Sequence, residues 1–85
     1  MTGETTYYVA QRRHEIAHCI KNARVECNLT QKDVAGYLGC SRRRMNRVEQ
    51  GDIELMVGEI ELLTLLFHKP LSHFFQEPGP MVHVG

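Results

Sequence analysis

Apolar residues along this chain recur at three- and four-residue spacing, which predicts helices; no segment before the tail alternates as a half-buried strand would. In the first stretch Val9, Ile16, Ile20 and Ala23 fall near one face, with Arg12, Arg13, Glu15 and Lys21 off it. That predicts a helix from about Thr6 to Glu26, capped by Thr5 or Thr6 and ended by Asn28, which tolerates left-handed backbone. A second helix covers Gln31 to Leu38, with Thr30 as its cap and Val34, Ala35 and Leu38 inward. Gly39 stops it. Ser41 caps a third helix, Arg42 to Gln50, which turns Met45 and Val48 inward and ends before Gly51. After Gly58, the run Glu59 to Phe67 is apolar on more than one stripe and predicts a central fourth helix. Pro70 suits the first turn of a short fifth helix, Leu71 to Phe75. The expected fold class is all-α, with five helices.

Eighty-five residues make one domain, taken as residues 1–77, followed by a Pro/Gly-bearing tail over 78–85. Hydrophobic residues at 42% and charged residues at 24% fit a soluble globular domain. No apolar run approaches a membrane span, and no basic region leads into an apolar one as in a secretory signal. Cys19, Cys27 and Cys40 are odd in number and lack CxxC spacing, so reduced thiols in a cytoplasm are expected. The net charge is zero, but its distribution is uneven. Residues 1–47 hold nine Lys+Arg against four Asp+Glu, and residues 48–85 hold one against six. Four of the ten basic residues lie in Ser41-Arg42-Arg43-Arg44-Met45-Asn46-Arg47. A local basic patch binds a polyanion even on a neutral chain.

Two short helices joined by a tight turn at Gly39-Cys40 have the spacing of a DNA-binding helix-turn-helix. Leu29-Thr30-Gln31, Ala35, Gly39, Ser41, Met45, Val48 and Glu49-Gln50-Gly51 stand in a register that closely resembles the phage-repressor (Cro/cI, XRE-like) helix-turn-helix family. The resemblance covers residues 16–75, with the motif at 30–50, and implies a lambda-repressor-like domain with an extended first helix. In that register Ala35 is small where two helices cross, and Gly39 permits a positive φ where a side chain would clash. The resemblance further implies an ion pair between Arg24 and Glu49, tying the first helix to the third. It places the third helix in the major groove of double-stranded DNA. Arg42, Arg43 and Arg47 then face bases with Asn46 beside them, and Ser41 heads the set. Gln31 and Arg44 fall at phosphates. The plain alternative for the arginine cluster is a solvated helix face.

Three features stand outside that register. His14-Glu15-Ile16-Ala17-His18 matches HExxH, a zinc-peptidase pattern on a helix, but leaves no room for a third ligand and a cleft; no metal or cofactor is expected. The segment Asp52-Ile53-Glu54-Leu55-Met56-Val57 is acidic and apolar, which disfavours a phosphate contact there. Ile53, Leu55 and Met56 either pack on the first helix or form a patch for another chain. Tyr7, Tyr8 and Val9 either cover the core or mate with a second subunit, and the tail either frays or adds an edge strand across a dimer. The expected function is a sequence-specific DNA-binding regulator without enzymatic chemistry, a dimeric repressor or antitoxin-like autoregulator. The second expectation is a protein-interaction module on the same fold.

Overall fold

The computed structural model describes residues 3–74. Among them the chain forms four α-helices and one 3-10 turn: α1 Gly3–Glu26, α2 Gln31–Leu38, α3 Arg42–Glu49, α4 Val57–Phe67 and the turn Leu71–His73. No strand is present among the described residues. The all-α class stands, but the expected fifth helix is a single turn. Phe74 is the physical reason. It is buried against Phe67, with ring centroids 6.5 Å apart, and its N–H donates back to Leu71 and Ser72, so the chain curls inward after one turn. Phe75 and the tail lie outside the described residues.

The short-range punctuation of the sequence sets the helix ends. Thr30 Oγ1 accepts from the Asp33 N–H at 3.0 Å, and Asp33 Oδ2 accepts from the Thr30 N–H at 2.9 Å, a reciprocal cap on α2. The backbone bond to Thr30 holds the Asp33 carboxyl below its usual range. Ser41 Oγ accepts from the Arg44 N–H at 3.0 Å and caps α3. Asn28, Gly39 and Gly51 take positive φ at the breaks after α1, α2 and α3. At Gly39 a Cβ would meet nothing within 4 Å, so the requirement there is backbone conformation, not the clash expected from the sequence. Gly51 is different. It is buried, and a Cβ there would overlap the imidazole of His14.

Ile20, Ala23, Val34, Met45, Leu63 and Phe67 form the centre of the core, with α2 packed on α3 and α3 on α1. Two expectations about burial change. α1 begins at Gly3, so Thr5 and Thr6 lie inside the helix and do not cap it. At about 1.5 Å per residue this helix runs roughly 36 Å, longer than the body it packs on. Its first turns therefore overhang, and Tyr7, Tyr8 and Val9 are exposed. Likewise α4 buries one stripe only, Ile60, Leu63 and Phe67. Leu62 and Leu65 face outward, because no described element covers its far side.

The two glycine environments make opposite predictions. Gly36 lies inside α2 with open space where a Cβ would stand. Gly36→Ala should stabilise the protein by about 0.5–1 kcal/mol, through lost freedom in the unfolded chain. Gly51→Ala should destabilise by at least about 1–2 kcal/mol, from left-handed backbone strain before any displacement of His14. Thermal melts of both variants check the pair; a Gly51→Ala melt equal to wild type would show that the turn relaxes freely.

Candidate nucleic-acid interface

The interface is built around a buried carboxylate. Arg24, in the last turn of α1, donates from Nε to Glu49 Oε2 at 2.7 Å and from Nη2 to Oε1 at 3.0 Å. Its third contact is Nη1 to the Leu29 carbonyl at 2.8 Å. The Glu49 side chain is 3% exposed and that of Arg24 12%. The hydrogen bonds to Glu49 raise the Arg24 pKa further, against the opposing effect of burial. One guanidinium thus holds the end of α1, the approach to α2 and the last residue of α3. The planar fork of arginine fits this double contact, which the point charge of lysine would not reproduce.

Gln31, the first residue of α2, joins the same group. Its Nε2 donates to Glu49 Oε1 at 3.1 Å and to Asn46 Oδ1 at 3.2 Å. The expectation of a phosphate contact at Gln31 therefore meets a side chain already engaged. Among the described residues the backbone N–H groups of Gln31 and Lys32 take no acceptor, and these remain at the start of α2.

Arg44 has a role the sequence reading missed. Its Nη1 donates to Glu59 Oε2 at 2.8 Å and its Nη2 to Oε1 at 3.0 Å. Glu59 Oε1 also accepts from the Met56 N–H at 2.9 Å, at the start of α4. Glu59 thereby caps α4 and ties it to α3. Burial pushes the Glu59 carboxyl up, but the bonds from Arg44 and Met56 outweigh it and the pKa is lowered. The bond to Glu59 raises Arg44. The only sequence signal was a glutamate three residues into α4, the reach-back half of a capping box.

Arg42, Arg43 and Arg47 are exposed, and among the described residues none of them takes an ion pair. Arg43 and Arg47 lie on the side of α3 opposite Met45 and Val48, which are buried, and Arg42 stands at the helix entrance. Ser41 is exposed at the head of the helix, and Asn46, part-buried, lies one turn beyond Arg42. The acidic segment after α3 turns elsewhere. Glu54 accepts from Arg13 at 3.0 Å, Ile53 and Leu55 pack against the core, and Met56 is exposed. His14 and His18 are both exposed, and His14 lies over Gly51. No group of three or more His, Cys, Asp or Glu among the described residues is arranged to hold a metal ion. No described helix is long and apolar enough to cross a membrane.

Residues 20–74 match the model of the HTH_3 helix-turn-helix family. The chain belongs to that family. The matched span lies inside the 16–75 expected from the residues, and the phage-repressor, XRE-like resemblance holds. Among solved structures this HTH_3 chain is similar to an HTH_3 family transcriptional regulator from Vibrio cholerae, with a TM-score of 0.68 at 21% identity. The likeness covers 79% of this chain and 38% of that one, so the chain spans well under half the length of its structural relative. No curated relative matches.

Removing Arg24 would leave the Glu49 carboxylate buried without its main partner. Arg24→Ala should cost about 3 kcal/mol, whereas Arg13→Ala, which breaks only the exposed contact to Glu54, should cost about 0.5 kcal/mol or less. Equal denaturation midpoints for the two variants would show that the buried pair contributes no more than a surface contact.

The lowered Glu59 pKa also carries a sign. A carboxyl depressed in the folded state adds stability that is present above its unfolded value and lost as pH falls through the folded one. Stability should therefore drop below the ordinary glutamate value of 4.5, and Glu59→Gln should flatten part of that drop. Melts from pH 6 to pH 3 on both proteins measure it; parallel curves would remove Glu59 as a contributor.

Proposed function

We propose that this protein is a sequence-specific DNA-binding transcriptional regulator, working as a homodimeric repressor or autoregulator in the cytoplasm, with double-stranded DNA as its partner. The observation that carries this reading is the division of labour among the arginines. Arg24 and Arg44 are taken up by carboxylates, while Arg42, at the entrance of α3, and Arg43 and Arg47, on its outer side, are exposed and take no ion pair among the described residues. A helix clamped through Glu49 at its end and Arg44 at its middle presents those three groups at a defined angle. Guanidinium forks suit guanine O6 and N7 in the major groove. Phosphate contacts fall to Ser41 and to the backbone N–H groups opening α2; Arg44 reaches a phosphate only by leaving Glu59.

Dimerisation follows from the size of the reader. One eight-residue helix covers only a few base pairs, and pairing places two such helices about 34 Å apart, one duplex turn. A groove of about 310 Å³ lies between the overhang of α1 and the Ile53–Val57 segment, walled by Tyr8, Val9, Ile16, Leu55, Val57 and Ile60. A second copy suits it. Glu4, Tyr8 and Arg12 stand one turn apart along α1, so two antiparallel helices crossing at Tyr8 would bring each Glu4 toward the other's Arg12, whose guanidinium also holds Glu15 of its own helix.

Fluorescence polarisation on duplexes selected from a random library, at two salt concentrations, tests the reading. Arg43→Ala and Arg47→Ala should each cost about 1–3 kcal/mol on the preferred site and relax one base position. If both lower specific and random-sequence affinity by one factor, the arginines are an electrostatic patch. Sedimentation that shows only monomer at micromolar concentration, with and without DNA, would remove the dimer.

A further inference from the structure

The contacts around Glu49 fix the polarity of a group that faces outward. A carboxylate only accepts hydrogen bonds, so the atom of the Gln31 amide that faces Glu49 Oε1 must be the nitrogen. An amide nitrogen only donates, so the Asn46 atom 3.2 Å from it must be Oδ1. The chain of assignments leaves no freedom. Arg24 holds Glu49, Glu49 orients Gln31, and Gln31 orients Asn46. Both N–H bonds of the Gln31 amide are used. The acceptor end of Asn46 is turned toward α2, and its free end is Nδ2, with two donors.

This matters because an unconstrained asparagine pairs with adenine by accepting from N6 and donating to N7. The Asn46 oxygen keeps a second lone pair, but it is held toward Gln31, so the end of the amide left to meet a base is Nδ2, the second half of that pattern. Guanine presents two adjacent acceptors, O6 and N7, and thymine presents O4, whereas adenine sets its N6 donor against the amide N–H. We propose that Asn46 is a donor-only specificity residue, selecting guanine, then thymine, and rejecting adenine, with Gln31 as the positioning residue that enforces the choice. The inference rests on the DNA-binding reading and adds to it the polarity of one contact. Gln31 acts here through Asn46 and not as a phosphate ligand in its own right.

Two measurements on the full chain separate the parts. In the free protein, NMR should show the Gln31 side-chain amide protons protected from solvent exchange and the Asn46 pair exchanging freely. Selection from randomised duplexes then compares wild type, Asn46→Asp and Gln31→Ala, with Gln31→Met as the variant that keeps the side-chain volume if Gln31→Ala fails to fold. Wild type should favour guanine at the position that Asn46 controls. Asn46→Asp keeps an oxygen for Gln31 but turns an acceptor outward, so the preference should move to cytosine, whose N4 is a donor. Releasing the lock in either Gln31 variant should raise adenine roughly tenfold relative to guanine at that position. Adenine preferred by wild type, or one preference shared by wild type and Asn46→Asp, would overturn the proposal. A wild type that selects no duplex sinks the DNA reading and this inference with it. A solvent-exposed Gln31 amide in a protein that still selects DNA sinks the relay alone.

Discussion

The Arg24–Glu49 pair is the constraint on which the placement of α3 depends. A helix of eight residues has no independent stability in water, since nucleation alone exceeds what so few backbone bonds return. Met45 and Val48 anchor its inner face, but apolar contacts are non-directional and would tolerate a rotation about the helix axis. A two-pronged guanidinium–carboxylate contact does not. Burying these charges has a desolvation cost, so the value of the pair lies less in net stability than in admitting one arrangement. The third bond of Arg24, to the Leu29 carbonyl, extends that restriction to the chain entering α2.

Glu59 applies the same logic at a second point. It satisfies the first orphan N–H of α4 and grips Arg44 with both oxygens, so the direction of α4 and the rotation of α3 are coupled. This pair is more exposed than the one at Glu49 and correspondingly softer. Between the two anchors, α3 divides into three surfaces. One packs on the core, one is held by ion pairs to neighbouring helices, and one carries arginines that take no ion pair among the described residues. Side chains of the third kind are dispensable to the fold, which leaves their identity free to follow whatever they recognise.

The features legible in the sequence were those written within a few residues of one another. Thr30, Ser41, Asn28, Gly39 and Gly51 mark helix boundaries through local hydrogen bonds and positive φ, and α2 has the bounds those residues announce. The features that escaped depend on what lies across the fold. Periodicity placed Val9 on the inner face of α1 correctly as a direction, but nothing local says that the body ends before Val9 is reached. Leu62 and Leu65 read as core because they are apolar, yet a helix packed on one side has no second face to bury them. Arg44 read as a groove-wall residue because α3 was considered by itself; its partner is fifteen residues away on another helix. The union of Gln31 with Asn46 was equally hidden, since both were assigned to DNA and neither to the other.

The zero net charge illustrates why totals mislead about partners. Three carboxylates of the acidic C-terminal half, Glu49, Glu54 and Glu59, are bound to Arg24, Arg13 and Arg44 of the basic half, in that order. Each of these pairs is nearly neutral at a distance, so none weakens the field in front of α3 as a free carboxylate would. Among the described residues Arg42, Arg43, Arg47, Lys21 and Lys32 take no ion pair, and three of these five lie together on α3. Screening in salt leaves interactions beyond about 8–10 Å largely ineffective, so a polyanion approaching α3 responds to these three groups and not to the sum over the chain. A chain of zero net charge that clusters three arginines without an ion pair on one helix, among its described residues, therefore presents a local cationic surface.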